Sequence, residues 1–271
     1  MKFRLHHYIQ GAVRANYPVQ RGRVALGRAL DWIRRNNFLI LSSPRSGTTL
    51  LLDYLNCSRQ VRCYGEILGR GHIQYGNPYR MAPERIRLHV ESYFVKRPGT
   101  WVGAKILTFH LDELPITIDD LLEVLNSPRI ILLYRENLLQ QYTSFHLAMA
   151  TGVWHPRKPV ELAPIRLDPD DFLAFAARER RMWQENCARL NLADTCVVSY
   201  EDLHADPRSQ MARVFDYLNV EPAEVRSRFV KANPRPLAQK VANYQEFAAR
   251  GIPDQALYSP LAAFGASRRA A

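Results

Sequence analysis

One segment constrains the fold of this chain more than any other: a short apolar run that leads through a polar turn into a helix. Phe38 to Leu41 form the run without polar alternation, as expected of a parallel strand buried on both faces. Ser43 to Thr49 form the turn, and helical apolar spacing resumes from Thr49 to Leu55. A strand that turns directly into a helix is a building unit of α/β folds with a parallel sheet.

Further apolar runs predict that this unit is repeated along the chain. Buried strands are predicted at Trp101 to Ile106, Ile130 to Tyr134 and Cys196 to Ser199, and helices at Leu138 to Ala150, Pro169 to Leu190 and Pro207 to Leu218. The alternation predicts a three-layer α/β fold with a mostly parallel central sheet flanked by helices. The periodicity is weaker from Arg70 to Arg97, which is predicted to be a loop-rich insertion over the ligand site.

The domain boundaries follow from where these patterns begin and end. We predict one α/β domain over residues 36–264, a basic helical lead-in over residues 1–35 and a frayed tail over residues 265–271. Within the lead-in, Val24 to Ile33 has amphipathic spacing with a basic fringe. Such a helix packs on the sheet with a solvated basic face or, alternatively, contacts a membrane surface or an acidic ligand.

The net charge of the chain indicates which class of ligand it binds. The 37 Lys and Arg residues exceed the 26 Asp and Glu residues, and the net charge of +11 favours an anionic ligand. No zinc-finger spacing, RNA-recognition signature or heptad array is present, so we do not expect nucleic acid as a partner.

The four cysteines form no CxxC pair, and no run of ~18 apolar residues occurs. We expect a cytoplasmic protein without a metal site.

The polar turn carries the residues of an anion-binding site. A helix N-terminus presents unpaired backbone N–H groups and a partial positive charge. Gly47 allows a ligand to approach the backbone closely, and the hydroxyls of Ser46, Thr48 and Thr49 are further donors. The guanidinium of Arg45 matches the oxygens of a phosphate or sulfate group.

The same turn departs from the loop of the nucleoside triphosphatases. That loop reads GxxxxGK[ST], and its lysine reaches the β- and γ-phosphates. Here Thr48 stands where the lysine would be, and no glycine opens the motif. Triphosphate hydrolysis is therefore disfavoured, while an ordinary turn with capping hydroxyls stays open as a structural alternative.

Three ordered stretches resemble the sulfotransferases that use 3′-phosphoadenosine 5′-phosphosulfate (PAPS), especially the bacterial nodulation and trehalose sulfotransferase-like groups. Phe38 to Leu51, FLILSSPRSGTTLL, is similar to the 5′-phosphosulfate segment of that family. Ile130 to Ser144 looks like its 3′-phosphate segment, and Val197 to Leu203 resembles its YEDL stretch. The resemblance implies a P-loop-NTPase-like sulfotransferase fold and transfer of a sulfuryl group from PAPS to a hydroxyl, with release of PAP.

The resemblance also implies residue roles at the donor site. The residues that bind the 5′-phosphosulfate are Pro44, Arg45, Ser46, Gly47, Thr48 and Thr49. Arg135 binds the 3′-phosphate with the hydroxyl of Thr143 or of Ser144, and Ser144 is preferred because the following Thr-Gly-x-Trp stretch then aligns. Tyr200 corresponds to an adenine-contacting tyrosine. Lys105 is expected to point at the anion site, because an unpaired charge inside an apolar strand is costly.

Two groups are candidates for the catalytic base, and Arg45 is the candidate cation at the leaving oxygen. Glu66 follows the first helix as a glutamate does in the bacterial relatives and is preferred. His110 lies five residues after Lys105, a longer spacing than in the Lys-Thr-His stretch of cytosolic sulfotransferases.

The acceptor is predicted only as a class, a carbohydrate or glycolipid hydroxyl. Aromatic residues available to stack on a sugar are Tyr64, Tyr75, Tyr79 and Trp154. A basic segment with Arg235 and Lys240 is a candidate for a loop over the nucleotide. The alternatives are a P-loop-like nucleotide kinase and a non-catalytic nucleotide-binding protein. The sequence does not indicate an oligomeric state.

Overall fold

The centre of the fold is a parallel sheet. The computed structural model of the chain describes residues 17–29, 36–70, 77–95, 99–154, 156, 158, 160, 162–229 and 235–260. Within these residues the sheet has five strands in the order β2-β3-β1-β4-β5, and every neighbouring pair is parallel. The strands are β1 (Asn37–Ser42), β2 (Val61–Glu66), β3 (Trp101–Leu107), β4 (Arg129–Tyr134) and β5 (Thr195–Ser199).

Helices follow or connect the strands, as parallel pairing requires. They are α1 (Tyr17–Ala29), α2 (Thr48–Leu55), α3 (Pro83–Phe94), α4 (Thr108–Glu113), α5 (Ile118–Val124), α6 (Leu138–Thr151), α7 (Pro169–Cys187), α8 (Tyr200–Ala205), α9 (Pro207–Leu218), α10 (Leu237–Lys240), α11 (Tyr244–Ala249) and α12 (Ile252–Gln255). No helix among the described residues combines the length and the apolar character needed to cross a membrane.

The two faces of the sheet build separate hydrophobic cores. In β1, Leu39 and Leu41 pack into one core, to which α3, α5 and α7 contribute. Phe38 and Ile40 point to the opposite face and pack with α2 and α9. Burial on both faces explains why β1 is apolar at successive positions. The predicted three-layer α/β fold is confirmed.

One strand of the sheet and one helix packed against the sheet differ from the sequence predictions. The edge strand β2 was missed, because its sequence Val-Arg-Cys-Tyr-Gly-Glu mixes polar and apolar residues, as suits a strand with one unpaired edge. The loop-rich insertion predicted for Arg70 to Arg97 is wrong over Pro83–Phe94, which form α3. Ile86, Val90 and Phe94 of that helix are fully buried against the sheet.

The lead-in and the tail are described only in part. Helix α1 spans Tyr17–Ala29 and so begins before the predicted Val24. The remainder of that prediction, up to Ile33, and the predicted frayed tail lie outside the described residues. Arg28 of α1 donates to both carboxylate oxygens of buried Glu91 in α3, at 2.8 and 2.7 Å, which fixes α1 against the domain.

Close packing at the centre of the sheet gives a stability prediction. A Cβ atom at Gly103 of β3 would lie 2.1 Å from two ring carbons of Phe38, which is fully buried. We expect Gly103→Ala to lower the free energy of unfolding by about 3 kcal/mol, since this core has no room for a methyl group. Urea denaturation measures the change.

The matched control for that experiment is Gly22→Ala in α1. A Cβ atom there meets nothing within 4 Å, and alanine favours a helix over glycine by about 1 kcal/mol. Gly22→Ala is therefore expected to leave the urea midpoint unchanged or to raise it. An unchanged midpoint for Gly103→Ala would contradict the close packing of Phe38 against Gly103.

Candidate active site

A cleft of about 730 Å³ opens at the carboxyl ends of the strands. The turn after β1 forms one wall, together with Glu66 at the end of β2 and Lys105 in β3. Arg135 after β4 and Tyr200 after β5 line it as well. Because parallel strands place all their carboxyl ends at one edge, residues far apart in sequence meet here, as ligand sites in such sheets require.

The turn has the strained geometry of a tight anion cradle. Arg45 and Gly47 both have positive φ angles, 64° and 83°. A Cβ atom at position 47 would lie 2.3 Å from Cδ2 of Tyr200, so only glycine fits between the turn and that ring. The hydroxyl of Ser46 is buried and has no hydrogen-bond partner among the described residues. An unsatisfied donor beside a glycine cradle fits an anionic group.

Lys105 joins the turn to the carboxylate at the end of β2. Its Nζ lies 2.7 Å from Oε1 of Glu66 and donates to Oγ1 of Thr48 at 3.2 Å. The pairing of β2 with β3 shifts register between Tyr64 and Glu66, which sets Glu66 opposite Lys105. The lysine side chain is 6% exposed and that of Glu66 36%, so the carboxylate reaches the cleft while its partner stays buried.

Arg135 is held behind the turn by its neighbours. Its Nη1 donates to the carbonyl of Arg45 at 3.1 Å, and its Nη2 donates to Oε1 of Gln140 at 3.0 Å. The guanidinium lies 4.6 Å over the ring of Tyr200, and Nε is 3.8 Å from Oε1 of Glu201. Burial lowers the pKa of Arg135. Each terminal nitrogen still carries a second N–H group that could bind an anion.

Arg45 crosses the cleft and contacts α6 and the loop after it. Its Nε donates to Oγ of Ser144 at 3.1 Å, and its Nη1 donates to the carbonyl of Trp154 at 2.9 Å. Burial, with a smaller effect of the nearby Arg135, lowers the pKa of Arg45. Two adjacent guanidinium groups repel each other, and an anion between them relieves that repulsion.

The structure distinguishes the two hydroxyls that the sequence left open. Ser144 lines the cleft. Thr143 is 1% exposed, and its hydroxyl donates to the carbonyl of Leu139 one helical turn earlier, at 2.7 Å. Ser144 is therefore the one of the two whose hydroxyl is at the site.

The two candidate bases also differ in position. Glu66 lines the cleft, whereas His110 is fully buried and is not among the cleft-lining residues. Nδ1 of His110 accepts the backbone N–H of Leu107 at 3.3 Å, which leaves the proton on Nε2. Burial lowers the pKa of His110 to about 4, so the ring is neutral near pH 7.

The lowered pKa of His110 predicts how stability depends on pH. The folded chain binds this proton more weakly than the unfolded chain, whose histidine pKa is near 6.5. The resulting stabilisation is complete above pH 6.5 and is lost as the pH falls towards 4. We expect the parent to lose about 3 kcal/mol more than His110→Gln over this interval, measured by urea denaturation at several pH values. Equal pH dependence in both proteins would contradict the assignment.

Several residues at the cleft were not predicted from the sequence. Phe229 and His204 line it, and the ring of His204 stacks on Tyr200 with centroids 5.7 Å apart. Asp53 of α2 accepts hydrogen bonds from Oγ of Ser227 and from the backbone N–H of Arg228, both at 3.1 Å, and so holds the segment that carries Phe229. No local pattern marks these residues, since more than 170 positions separate Asp53 from its partners.

The predicted acceptor aromatics are mostly elsewhere. Of the four, Trp154 lines the cleft and Tyr75 lies outside the described residues. Tyr64 packs edge-on against Tyr93 with centroids 5.1 Å apart, and the hydroxyl of Tyr79 donates to Glu113 at 2.9 Å. Neither of these two tyrosines lines the cleft.

The basic segment near the C-terminus reaches the cleft at one of its two predicted positions. Lys240 lines the cleft, and Arg235 is not among the cleft-lining residues. The described part of the chain contains no group of three or more His, Cys, Asp or Glu side chains that could hold a metal ion.

Taken together, these contacts provide two positively charged positions that can bind an anion, and one carboxylate, within a single cleft. The turn with Arg45 forms one position, and Arg135 forms the second. Glu66 lies beside the turn, linked to Thr48 through Lys105. Such an arrangement can hold a doubly anionic ligand and accept a proton next to it.

Comparisons with known proteins agree with this chemistry. A sequence model described as the sulfotransferase family matches residues 37–224. Two proteins from Rhizobium meliloti named nodulation protein H, one of them from strain 1021, are each 28% identical to this chain, over 228 and 222 residues. Each alignment covers 77% of this chain and 88% of the relative.

The chain also aligns with a solved structure. The crystal structure of a sulfotransferase from Alicyclobacillus acidocaldarius aligns over 86% of this chain and 95% of its own, at a TM-score of 0.48 and 16% identity. The family match carries the assignment, because it spans well over half of the chain and includes β1 to β5 together with the turn and Arg135. The chain belongs to the sulfotransferase family and is a sulfuryl-transfer enzyme.

Proposed function

We propose that the enzyme transfers a sulfuryl group from PAPS to a hydroxyl of a carbohydrate or glycolipid and releases PAP. The observation that supports this donor best is the hydrogen bond from Arg135 to the carbonyl of Arg45, at 3.1 Å. It fixes a second cationic position directly behind the turn. A donor with phosphates at both its 5′ and 3′ positions uses both positions, whereas a simple sulfate ester would use one.

In this proposal each part of the donor has its own partners. The 5′-phosphosulfate lies on the turn, where the buried hydroxyl of Ser46 and the N–H groups after Gly47 donate to it. The 3′-phosphate takes the second N–H groups of Arg135 and the hydroxyl of Ser144. The rings of Tyr200 and Phe229, which line the same cleft, flank the adenine.

The transfer step needs positioning, cations and a base. The acceptor oxygen forms a bond to sulfur as the bond from sulfur to the 5′-phosphate oxygen breaks, and the negative charge grows on that leaving oxygen. Arg45 and Lys105 are the cations placed to stabilise it. The acceptor proton passes to the carboxylate of Glu66, which Lys105 orients at 2.7 Å.

Thermal unfolding with different nucleotides tests the donor. We expect PAP to stabilise the protein more than 5′-AMP or ATP with Mg²⁺, and a ligand at about 100 times its Kd contributes about 2.7 kcal/mol. In Arg135→Ala the advantage of PAP over 5′-AMP should disappear. Stabilisation by ATP without stabilisation by PAP would favour a nucleotide kinase. Binding of PAP with no PAP release from PAPS across glycans and glycolipids would favour a non-catalytic nucleotide-binding protein.

The cellular location of the enzyme and its other partners are proposed from the sequence. We propose a cytoplasmic enzyme that needs neither a metal nor nucleic acid. Its basic lead-in is available for peripheral contact with a membrane surface. Sedimentation of the protein with anionic vesicles, compared with neutral vesicles, tests that contact.

A further inference from the structure

Part of the lining of the cleft is apolar. Leu107 at the end of β3, Phe109 in α4 and Phe145 of α6 line it, together with Val153, Trp154 and Leu162 from the segment after α6. We call these six residues the apolar end. The lining also includes Arg135 and Tyr200, which the proposed function assigns to the nucleotide.

The side chains of the apolar end lie outside the hydrophobic clusters of the fold, although Leu107 and Leu162 are themselves buried. None of the six belongs to the three hydrophobic clusters of the described residues or packs at their margins. Trp154 is 37% exposed, and its ring meets the edge of Phe145 with centroids 6.0 Å apart. Apolar surface left in water loses the stabilisation that burial would give it. Apolar residues gathered in a cleft and outside any core are typical of a ligand site.

The apolar end begins at the groups proposed for the transfer step. Phe145 follows Ser144, which accepts the Nε–H of Arg45, and the carbonyl of Trp154 accepts an N–H of the same guanidinium. Leu107 lies two residues after Lys105 in the same strand. A group that fills the apolar end is therefore adjacent to Arg45, the cation proposed for the leaving oxygen.

Carboxylate and amide side chains, which commonly bind sugar hydroxyls, are few in the described lining of the cleft. Glu66 is its one carboxylate and Gln140 its one amide. Both are engaged, Glu66 by Lys105 at 2.7 Å and Gln140 by Arg135 at 3.0 Å. Burial of a hydroxyl without a hydrogen-bond partner is unfavourable. A sugar hydroxyl that faces the side chains of Leu107, Phe145 or Leu162 would be in that state.

We propose that the apolar end is an acceptor subsite for a hydrocarbon group attached close to the reacting hydroxyl. This inference rests on the proposed function, since it takes the nucleotide to occupy another part of the cleft. Among carbohydrate and glycolipid acceptors it selects those with an alkyl or ring hydrocarbon next to the sugar that is sulfated. The hydrocarbon covers Phe109, Phe145 and Trp154, while the hydroxyl faces Glu66.

The test compares methyl, butyl and octyl β-D-glucosides, which carry the same sugar with increasing hydrocarbon. Their Kd values are measured by calorimetry on the PAP-saturated protein, below the critical micelle concentration. Each buried methylene contributes about 0.8 kcal/mol, so the octyl compound should bind at least about tenfold more tightly than the methyl compound. Equal affinities, or no detectable binding of the octyl compound, would overturn the inference.

Variants locate the binding within the cleft. Phe145→Ser and Phe109→Ser should remove most of the gain from methyl to octyl. Met149→Ser is the matched control, since Met149 lies on the same helix as Phe145 and is 60% exposed outside the cleft lining. A full octyl gain in both phenylalanine variants would place the hydrocarbon elsewhere and overturn the inference. Failure of the protein to bind PAP, measured beforehand, would instead count against the proposed function.

Discussion

Replacing Glu66 by glutamine is expected to lower kcat by about two to four orders of magnitude while the Kd for PAP stays within about threefold of the parent value. The amide keeps the shape of the side chain and can still accept a hydrogen bond from Lys105, which lies 2.7 Å from the carboxylate. It cannot take up the acceptor proton. PAP release from PAPS gives kcat, and thermal shift gives the Kd.

The other candidate base, His110, is tested in the same assays as Glu66. His110→Gln is expected to retain most of the activity, because the ring is fully buried and its Nδ1 is occupied by the N–H of Leu107. Glu185→Gln, at an exposed glutamate on α7, is the control for removing one negative charge. Full activity in Glu66→Gln together with a loss in His110→Gln would transfer the role of base to the histidine.

Arg45→Ala is expected to lower kcat by about 10²- to 10³-fold, the usual effect of removing one donor that stabilises a transition state. The change also releases Ser144 and the carbonyl of Trp154, which Arg45 binds at 3.1 and 2.9 Å. PAP should bind more weakly as well, since the turn loses a cation. Initial rates at saturating PAPS separate the effect on kcat from the effect on binding.

Two further variants define what the guanidinium contributes. Arg45→Lys keeps the charge and loses the planar fork, so its kcat should lie between that of the parent and that of Arg45→Ala. Arg181→Ala removes an exposed arginine of α7 and should leave kcat unchanged. If Arg45→Ala retained the parent kcat, the cation at the leaving oxygen would have to be Lys105 or Arg135.

The central elements could be predicted from the sequence because their signals are local. β1 is buried on both faces and is therefore apolar at every position from Phe38 to Leu41, and the glycine turn follows it at once. The strand β2 gave no such signal, because an edge strand is only half buried. Helix α3 was missed for a related reason, since its buried face includes His89 and Glu91 among the apolar residues.

By itself, the sequence determined the α/β class and located the glycine turn and the two arginines that line the cleft, because each depends on a short stretch of chain. Only the tertiary structure decided which hydroxyl and which candidate base reach the cleft. Thr143 and Ser144 are neighbours on one helix, and the angle of about 100° between successive residues turns one inward and the other to the cleft. Glu66 meets Lys105 through a register shift between strands, and the apolar end gathers residues from β3, α4, α6 and the segment after α6, so neither can be read from local spacing.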